Sequence, residues 1–341
     1  MPRMAPMRSR PSAVSTNALA RHAATPVLRT TWLRGAHDAP SPANGFLLRR
    51  CAHSSRPVRA LRTLQHVHLK GPSPPGRLIP YSHAEDVQEQ HRARFLSWKG
   101  LSEEQKRRAM PDEEPRPRLL SFEAEPTFTL GRRQDGLTAA QAARLQRPLR
   151  VVLPQGAQSF VPQVRKTSRG GLTTYHGPGQ LVLWPVLDMH SGLYPKFGVA
   201  SYAHHLETTT QRLLSERFGI ETYVSRDEPG VWVSTSSAQP RKIAALGVHH
   251  RRYVTALGVA VNINIPVAGD EDVNPWARFV PCGLDGKLVT SVAAELGSDA
   301  SLECELEDLA RQWAVLFEEG MLDEERRRGE NSSEAKERLG R

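Results

Sequence analysis

Cys282, Lys242 and His176 are the side chains here whose type and setting could do covalent chemistry. Cys282 lies in Val280-Pro281-Cys282-Gly283-Leu284, between a proline and a glycine, which keeps it on a turn rather than in a regular element. A turn offers access, and access together with a lowered pKa makes a thiol nucleophilic. A free thiol titrates near about 8.5, so little of it is thiolate at neutral pH and it needs a basic or cationic neighbour. Lys242 opens the apolar strand Lys242-Ile243-Ala244-Ala245-Leu246-Gly247, where a lysine is either solvated at the strand end or aimed into a site. His176 is the other available partner, as in a Cys-His arrangement. Residue types alone leave both open. Cys304, in a stretch of helical period, reads as a small buried hydrophobe.

Stepping outward, His176 belongs to Arg169-Gly170-Gly171-Leu172-Thr173-Thr174-Tyr175-His176-Gly177-Pro178-Gly179-Gln180. Glycine costs a helix roughly 1 kcal/mol against alanine and proline about 3, so a stretch holding four glycines and a proline does not make a regular helix. It does let backbone approach a ligand, because glycine has no Cβ to hold one away. With Arg169, Thr173, Thr174, Tyr175, His176 and Gln180 to orient whatever sits there, it reads as a binding loop, and the apolar run 181–187 after it as a buried strand.

The elements that must position these groups follow from periodicity. Residues 86–96, 201–218 and 302–317 space their apolar side chains as helices, the second stopped by Gly219. The stretch 134–150 reads as an exposed inserted helix, and 102–108 as polar chain leading into a proline-rich loop. Strands are expected at 119–122, 127–130, 151–153, 231–233, 243–248 and 255–265, with Asn262 and Asn264 on one face of the last. A polar linker is expected between 153 and the central loop, and a small polar insertion at 234–239. Strands and helices mix without strict βαβ alternation, which predicts one α/β domain with a mixed, largely antiparallel sheet flanked by helices.

The formal charge of +10 invites a nucleic-acid or membrane partner until its distribution is examined. Residues 1–62 hold eleven arginines and one acid, Asp38; removing them from the totals of 46 basic and 36 acidic residues leaves 35 of each. The body is neutral, so no nucleic-acid partner is expected. An Arg-rich, Ser-rich, acid-poor start is the pattern of an organelle transit peptide, so 1–62 reads as an unstructured leader, 63–317 as the folded domain and 318–341 as a charged, solvated tail. Three cysteines do not make a disulfide framework and suit a reducing compartment. No apolar run is long enough for a membrane helix. The pairs His204-His205 and His249-His250 are adjacent and point apart, without metal-ligand spacing, so no metal is expected.

The central stretch resembles the signature of the lipoyl(octanoyl) transferases, the lipoate-protein ligase B type, Arg-Gly-Gly-x-x-Thr-Tyr-His-Gly-Pro-Gly-Gln, and matches it at every fixed position. Further similarities follow in order: Thr129-Leu130-Gly131-Arg132, Gly230-Val231-Trp232, Lys242 to Val248, Gly258 to Asn262, Pro281-Cys282-Gly283 and Val289-Thr290-Ser291. The resemblance implies the biotin/lipoate ligase catalytic-domain fold. It also implies an enzyme, needing no cofactor, that moves octanoyl from acyl carrier protein to a lysine of a lipoyl domain, the first step of protein lipoylation. Acceptors would be the lipoyl domains of 2-oxoacid dehydrogenase complexes and the glycine cleavage H protein. Eukaryotic members work in mitochondria, which here would mean a matrix enzyme, expected as a monomer. Carried over by motif, the acyl nucleophile is Cys282 and the activating lysine Lys242. The acyl site falls on Arg169 to His176, on Ala245, Leu246 and Gly247, and on Gly258, Val259 and Ala260, with His176 shaping the pocket rather than acting as base.

The chain departs from the family at Ala124 and at Leu257, where a histidine is usual. An ATP-dependent lipoate or biotin ligase on the same fold is the nearest rival, and it needs no cysteine nucleophile. A transferase between two carrier domains and a non-catalytic carrier-binding protein complete the alternatives.

Overall fold

Two strands, β9 (Gln180–Val186) and β13 (Val254–Asn262), are buried along their whole length, and apart from Leu257 their core side chains divide by parity between two layers. Leu181 and Leu183 join Val259 and Val261 against helices α4 (Val199–Phe218) and α6 (Leu306–Leu322). Val182, Trp184 and Val186 join Val254, Ala256 and Ala260 on the other face, against α1 (Tyr81–Trp98). A strand covered on both faces must read as a continuous apolar run, as 181–187 does. The computed structural model describes residues 61–71, 78–110, 112–233, 239–279, 288–297 and 305–323. Cys51, Cys282, Cys304, the leader up to residue 60, most of the 234–239 insertion and the tail beyond 323 lie outside them.

Around the central pair a nine-stranded sheet forms, in the order β1 (Gln65–His68), β3 (Arg118–Ala124), β9, β13, β12 (Arg241–Arg251), β11 (Gly230–Val233), β10 (Thr222–Val224). Two short strands, β2 (Leu78–Ile79) on β3 and β14 (Leu288–Val289) on β12, complete it. The pairs β1·β3, β2·β3 and β12·β14 are parallel and the others antiparallel, as the expected mixed, largely antiparallel sheet requires. Gly219 ends α4 as predicted, at φ 66°.

Several expectations need correction. The central loop is in part a strand: β8 (Thr173–His176) pairs with β4 (Thr127–Leu130), which pairs with β7 (Gln163–Lys166) in a separate three-stranded sheet. The stretch 134–150 is helical only over α3 (Ala139–Leu145), started by the Thr138–Gln141 capping box. Leu149 and Arg150 belong instead to β5 (Leu149–Leu153), which contains the expected strand 151–153 and forms a hairpin with β6 (Gly156–Phe160), so that β6 and β7 fill the expected linker. At 102–108 the helix α2 (Glu103–Arg108) forms with no buried residue, held by a capping box of Ser102 and Gln105. Asn264 is exposed while Asn262 is buried, because the Ile263 and Asn264 N–H groups both turn to the Gly179 carbonyl (3.0 and 2.8 Å) and end β13. Helix α6 runs past 317, and Glu318, read as solvated, is 6% exposed. Its carboxylate accepts the backbone N–H groups of Arg62, Thr63 and Leu64 at 2.6–3.0 Å, which is what permits a buried charge there.

Candidate active site

The register of β11 on β12 decides where Lys242 points. Val231 pairs with Ala244 and Trp232 with Lys242, leaving Ile243 as an extra residue. Ile243 and Ala244 both enter the core shared with α4, so Lys242 falls on the same strand face as Ala245. Without the bulge the three-residue separation would put them on opposite faces. Lys242 is 8% exposed; Nζ donates to the Pro229 carbonyl at 3.2 Å and lies 4.6 Å from the Trp232 ring centroid. A buried lysine nitrogen with a carbonyl and an aromatic face around it is held rather than solvated. The strand-end solvation that sequence allowed is therefore not what the fold builds.

Ala245, Leu246 and Gly247 of β12 and Gly258, Val259 and Ala260 of β13 line a narrow cleft. From the signature stretch Arg169, Thr174 and His176 line it as well. The strand period of β8 explains the selection: Thr174 and His176 face the cleft, while Tyr175 enters the core with Phe128 and Thr173 donates to the Gln134 side chain at 2.9 Å. Gly170, Gly171 and Leu172 do not line the cleft but meet Gly131, whose N–H donates to the Leu172 carbonyl at 3.1 Å. A Cβ on Gly131 would lie 2.3 Å from the Gly171 oxygen, so the two motifs lock backbone to backbone. Gly258 lines the cleft and must also be small for the packing of the sheet: a Cβ there would lie 2.2 Å from the Leu183 carbonyl oxygen of β9.

Arg169 is 6% exposed and acts as a strut. Its Nη2 donates to the Thr129 carbonyl (2.6 Å) and hydroxyl (3.0 Å), and Nη1 to the Gly170 carbonyl (3.0 Å). His176 is buried, and burial with the nearby Arg169 charge lowers its pKa to about 4 against the pull of the Gln180 hydrogen bond. It is neutral at physiological pH, so it offers no cation to a thiol. A polar chain runs beneath the cleft from His176 Nδ1 to Gln180 Oε1 (2.8 Å), from Gln180 Nε2 to Asn262 Oδ1 (2.9 Å), and from Asn262 Nδ2 to the Thr290 carbonyl (2.9 Å). The Thr290 N–H donates in turn to the Lys242 carbonyl (3.0 Å), so one network ties the signature stretch to the lysine strand.

Three cleft residues have no counterpart among the candidates: Tyr81, Trp184 and Leu257. Trp184 could have been placed by its period-two spacing from Val182 and Val186; Tyr81, at the first position of α1, carries no such signal. Leu257, one of the two family departures, sits at φ 62° and donates its N–H to Gln88 Oε1 of α1 at 2.5 Å. A branched side chain in that region is strained, and strain held by a buried partner is found at ligand clamps. Ala124, the other departure, is fully buried beside Phe122 in the same core layer.

Cys282 lies outside the described residues, but both flanks of its segment are described. Phe279 packs edge-on against Phe128, centroids 5.4 Å apart, and Leu288 and Val289 pair with Arg241 and Lys242.

The sequence profile of the lipoyl protein ligase A/B catalytic domain matches residues 102–313. An octanoyltransferase of Koribacter versatilis is 35% identical over 206 residues, covering 60% of this chain and 73% of its own. A mitochondrial octanoyl-acyl-carrier-protein:protein N-octanoyltransferase of Danio rerio is 38% identical over 181 residues, covering 53% and 68%. Among solved structures, a bipartite lipoate protein ligase of Thermoplasma acidophilum aligns at a TM-score of 0.44 and 11% identity, over 76% of this chain and 84% of that one. The match extends over most of the described fold and contains every element that lines the cleft except the first turn of α1, and the chain belongs to the lipoyl protein ligase A/B catalytic domain family.

Proposed function

We propose that this chain is an octanoyltransferase that moves octanoyl from octanoyl-acyl carrier protein to a lysine of a lipoyl domain, through a thioester on Cys282. The observation that carries this reading is the buried Lys242, turned by the β12 bulge to the strand face of Ala245, which lines the cleft. The names of its relatives support the same activity. Support for Cys282 comes from Val289, a few residues downstream, which is the register partner of Lys242.

The thiol of Cys282 gives its proton to Lys242 and the thiolate attacks the thioester carbonyl. A new C–S bond forms on the enzyme, the bond to the carrier breaks, and the carrier thiol leaves with the proton that Lys242 had taken, which returns Nζ to its neutral form. The acceptor lysine amine then attacks the acyl-enzyme, an amide forms, the Cys282 sulfur departs, and the amine proton passes to Lys242. The acyl chain lies along the cleft floor of Ala245, Gly247, Gly258 and Ala260, with Arg169, Thr174 and His176 as its wall. Backbone N–H groups of the signature stretch or the Cys282 turn hold the oxyanion.

The enzyme works in mitochondria, in the matrix, delivered by the leader at 1–62 and followed by a catalytic domain at 63–317 and a charged tail at 318–341. It acts as a monomer on lipoyl domains of 2-oxoacid dehydrogenase complexes and on the glycine cleavage H protein. The Arg-rich, acid-poor leader and the mitochondrial relative in Danio rerio support the compartment. Intact mass after incubation with octanoyl-acyl carrier protein, without ATP, tests the reaction. An octanoyl adduct on the wild type that Cys282→Ala lacks is the expected result. No adduct, with transfer appearing only on addition of ATP and free octanoate, overturns it in favour of a ligase.

A further inference from the structure

Glu207, on α4, is 8% exposed in a helix whose neighbours Leu206, Thr210 and Leu214 are buried. Its Oε1 accepts the N–H of Gly230 at 2.8 Å. Lys242 Nζ donates to the carbonyl of Pro229 at 3.2 Å. The Pro229 carbonyl and the Gly230 N–H are the two ends of a single peptide group. The Glu207 carboxyl group and the Lys242 nitrogen are thus joined through one amide, which they touch from opposite ends. The approach is close: a Cβ on Gly230 would lie 3.3 Å from Lys242 Cε.

We propose that Glu207 is a positioning residue for Lys242, holding the lysine and favouring its charged form through the Pro229–Gly230 peptide. A carboxylate on the N–H end polarises the amide and makes its carbonyl a better acceptor for the ammonium. The negative charge itself favours the protonated lysine against the penalty of burial, as the Trp232 ring also does. The effect falls on the step in which a proton moves from thiol to Nζ, so this inference rests on the catalytic reading of Lys242. Burial raises the carboxyl pKa of Glu207, and the Gly230 N–H, His204 on the same helix and Lys242 oppose that rise. The other charged groups nearby are Glu228 in the same turn, whose carbonyl accepts the Trp232 indole N–H at 3.2 Å, and Arg241 next along β12, paired with Glu295 of α5 (Val292–Glu295) at 2.8 Å.

The test measures the rate of acyl-enzyme formation from octanoyl-acyl carrier protein across pH, for the full chain, Glu207→Gln, Glu207→Ala and Lys242→Ala, with the Tm of each. Glutamine can still accept the Gly230 N–H, so Glu207→Gln removes the charge and keeps the shape. Its Tm and KM are expected to stay at wild-type values. Its alkaline limb, where Nζ loses its proton, moves to lower pH by about one unit, and kcat falls about tenfold at neutral pH. Glu207→Ala loses the hydrogen bond as well and falls further in kcat, with KM unchanged. A Glu207→Gln profile superimposed on wild type, beside an inactive Lys242→Ala, overturns this inference and leaves the function standing. A Lys242→Ala enzyme of wild-type rate overturns both.

Discussion

The imidazole of His176 lies stacked on the ring of Tyr81, centroids 5.1 Å apart and planes 27° from parallel. Gln180 commits its amide nitrogen to the Tyr175 carbonyl and to Asn262, so its oxygen accepts and His176 Nδ1 carries the proton. Folding lowers the His176 pKa to about 4, so between that value and its ordinary 6.5 the unfolded chain binds more protons than the folded one. Stability therefore falls as pH drops through this window, by roughly 3 kcal/mol from this residue. Denaturant titrations between pH 7 and pH 4 should show a shallower loss for His176→Gln than for wild type, and equal slopes would contradict the buried neutral imidazole.

Arg169 holds the cleft wall to β4 through Nη2, which donates to both the Thr129 carbonyl and hydroxyl, and through Nε, which donates to the same hydroxyl. Lysine cannot reproduce that geometry. Arg169→Lys and Arg169→Ala should each lose about 2–4 kcal/mol of stability, since buried acceptors are left unsatisfied. The KM for the octanoyl donor should rise in both, measured by steady-state transfer.

Gly258 brings β13 against β9 where a Cβ would meet the Leu183 carbonyl and Pro185 Cδ. Neither backbone can yield without disturbing the two central strands. Gly258→Ala is expected to cost about 3 kcal/mol or more. Wild-type melting in a calorimeter would refute the close approach.

Glu318 ties α6 to the segment that enters β1 by accepting from Arg62, Thr63 and Leu64. Charge-assisted hydrogen bonds contribute about 1.5–3 kcal/mol each when broken singly. Glu318→Ala should lower Tm and raise amide exchange at 62–64 before it affects turnover. Protection factors by hydrogen exchange check this directly.

Local pattern in the sequence was enough for the central buried strands β9 and β13, for α4 and its glycine stop, for the mixed sheet, and for the lysine at the head of an apolar strand, though not for β8, whose four buried residues lie within a glycine-rich stretch. Burial on one or two faces leaves a period that a short window can read. The same rule explains the failures: α2 buries nothing, and β6 and β7 are mostly exposed, so no apolar period announced them. The cleft residues of β12 and β13 were placed by motif, but Tyr81, Trp184 and Leu257 reach the cleft from three different elements. Which elements meet over a strand is a long-range outcome. Most telling is Ile243, whose extra place in β12 turns Lys242 to the side of Ala245, and whose effect no spacing along the chain discloses. Registers and bulges are settled by what the neighbouring strand and helix can bury, and so is the meeting of Glu207 and Lys242 at one peptide. The residue types that could do the chemistry were written in the chain; their direction was decided by packing.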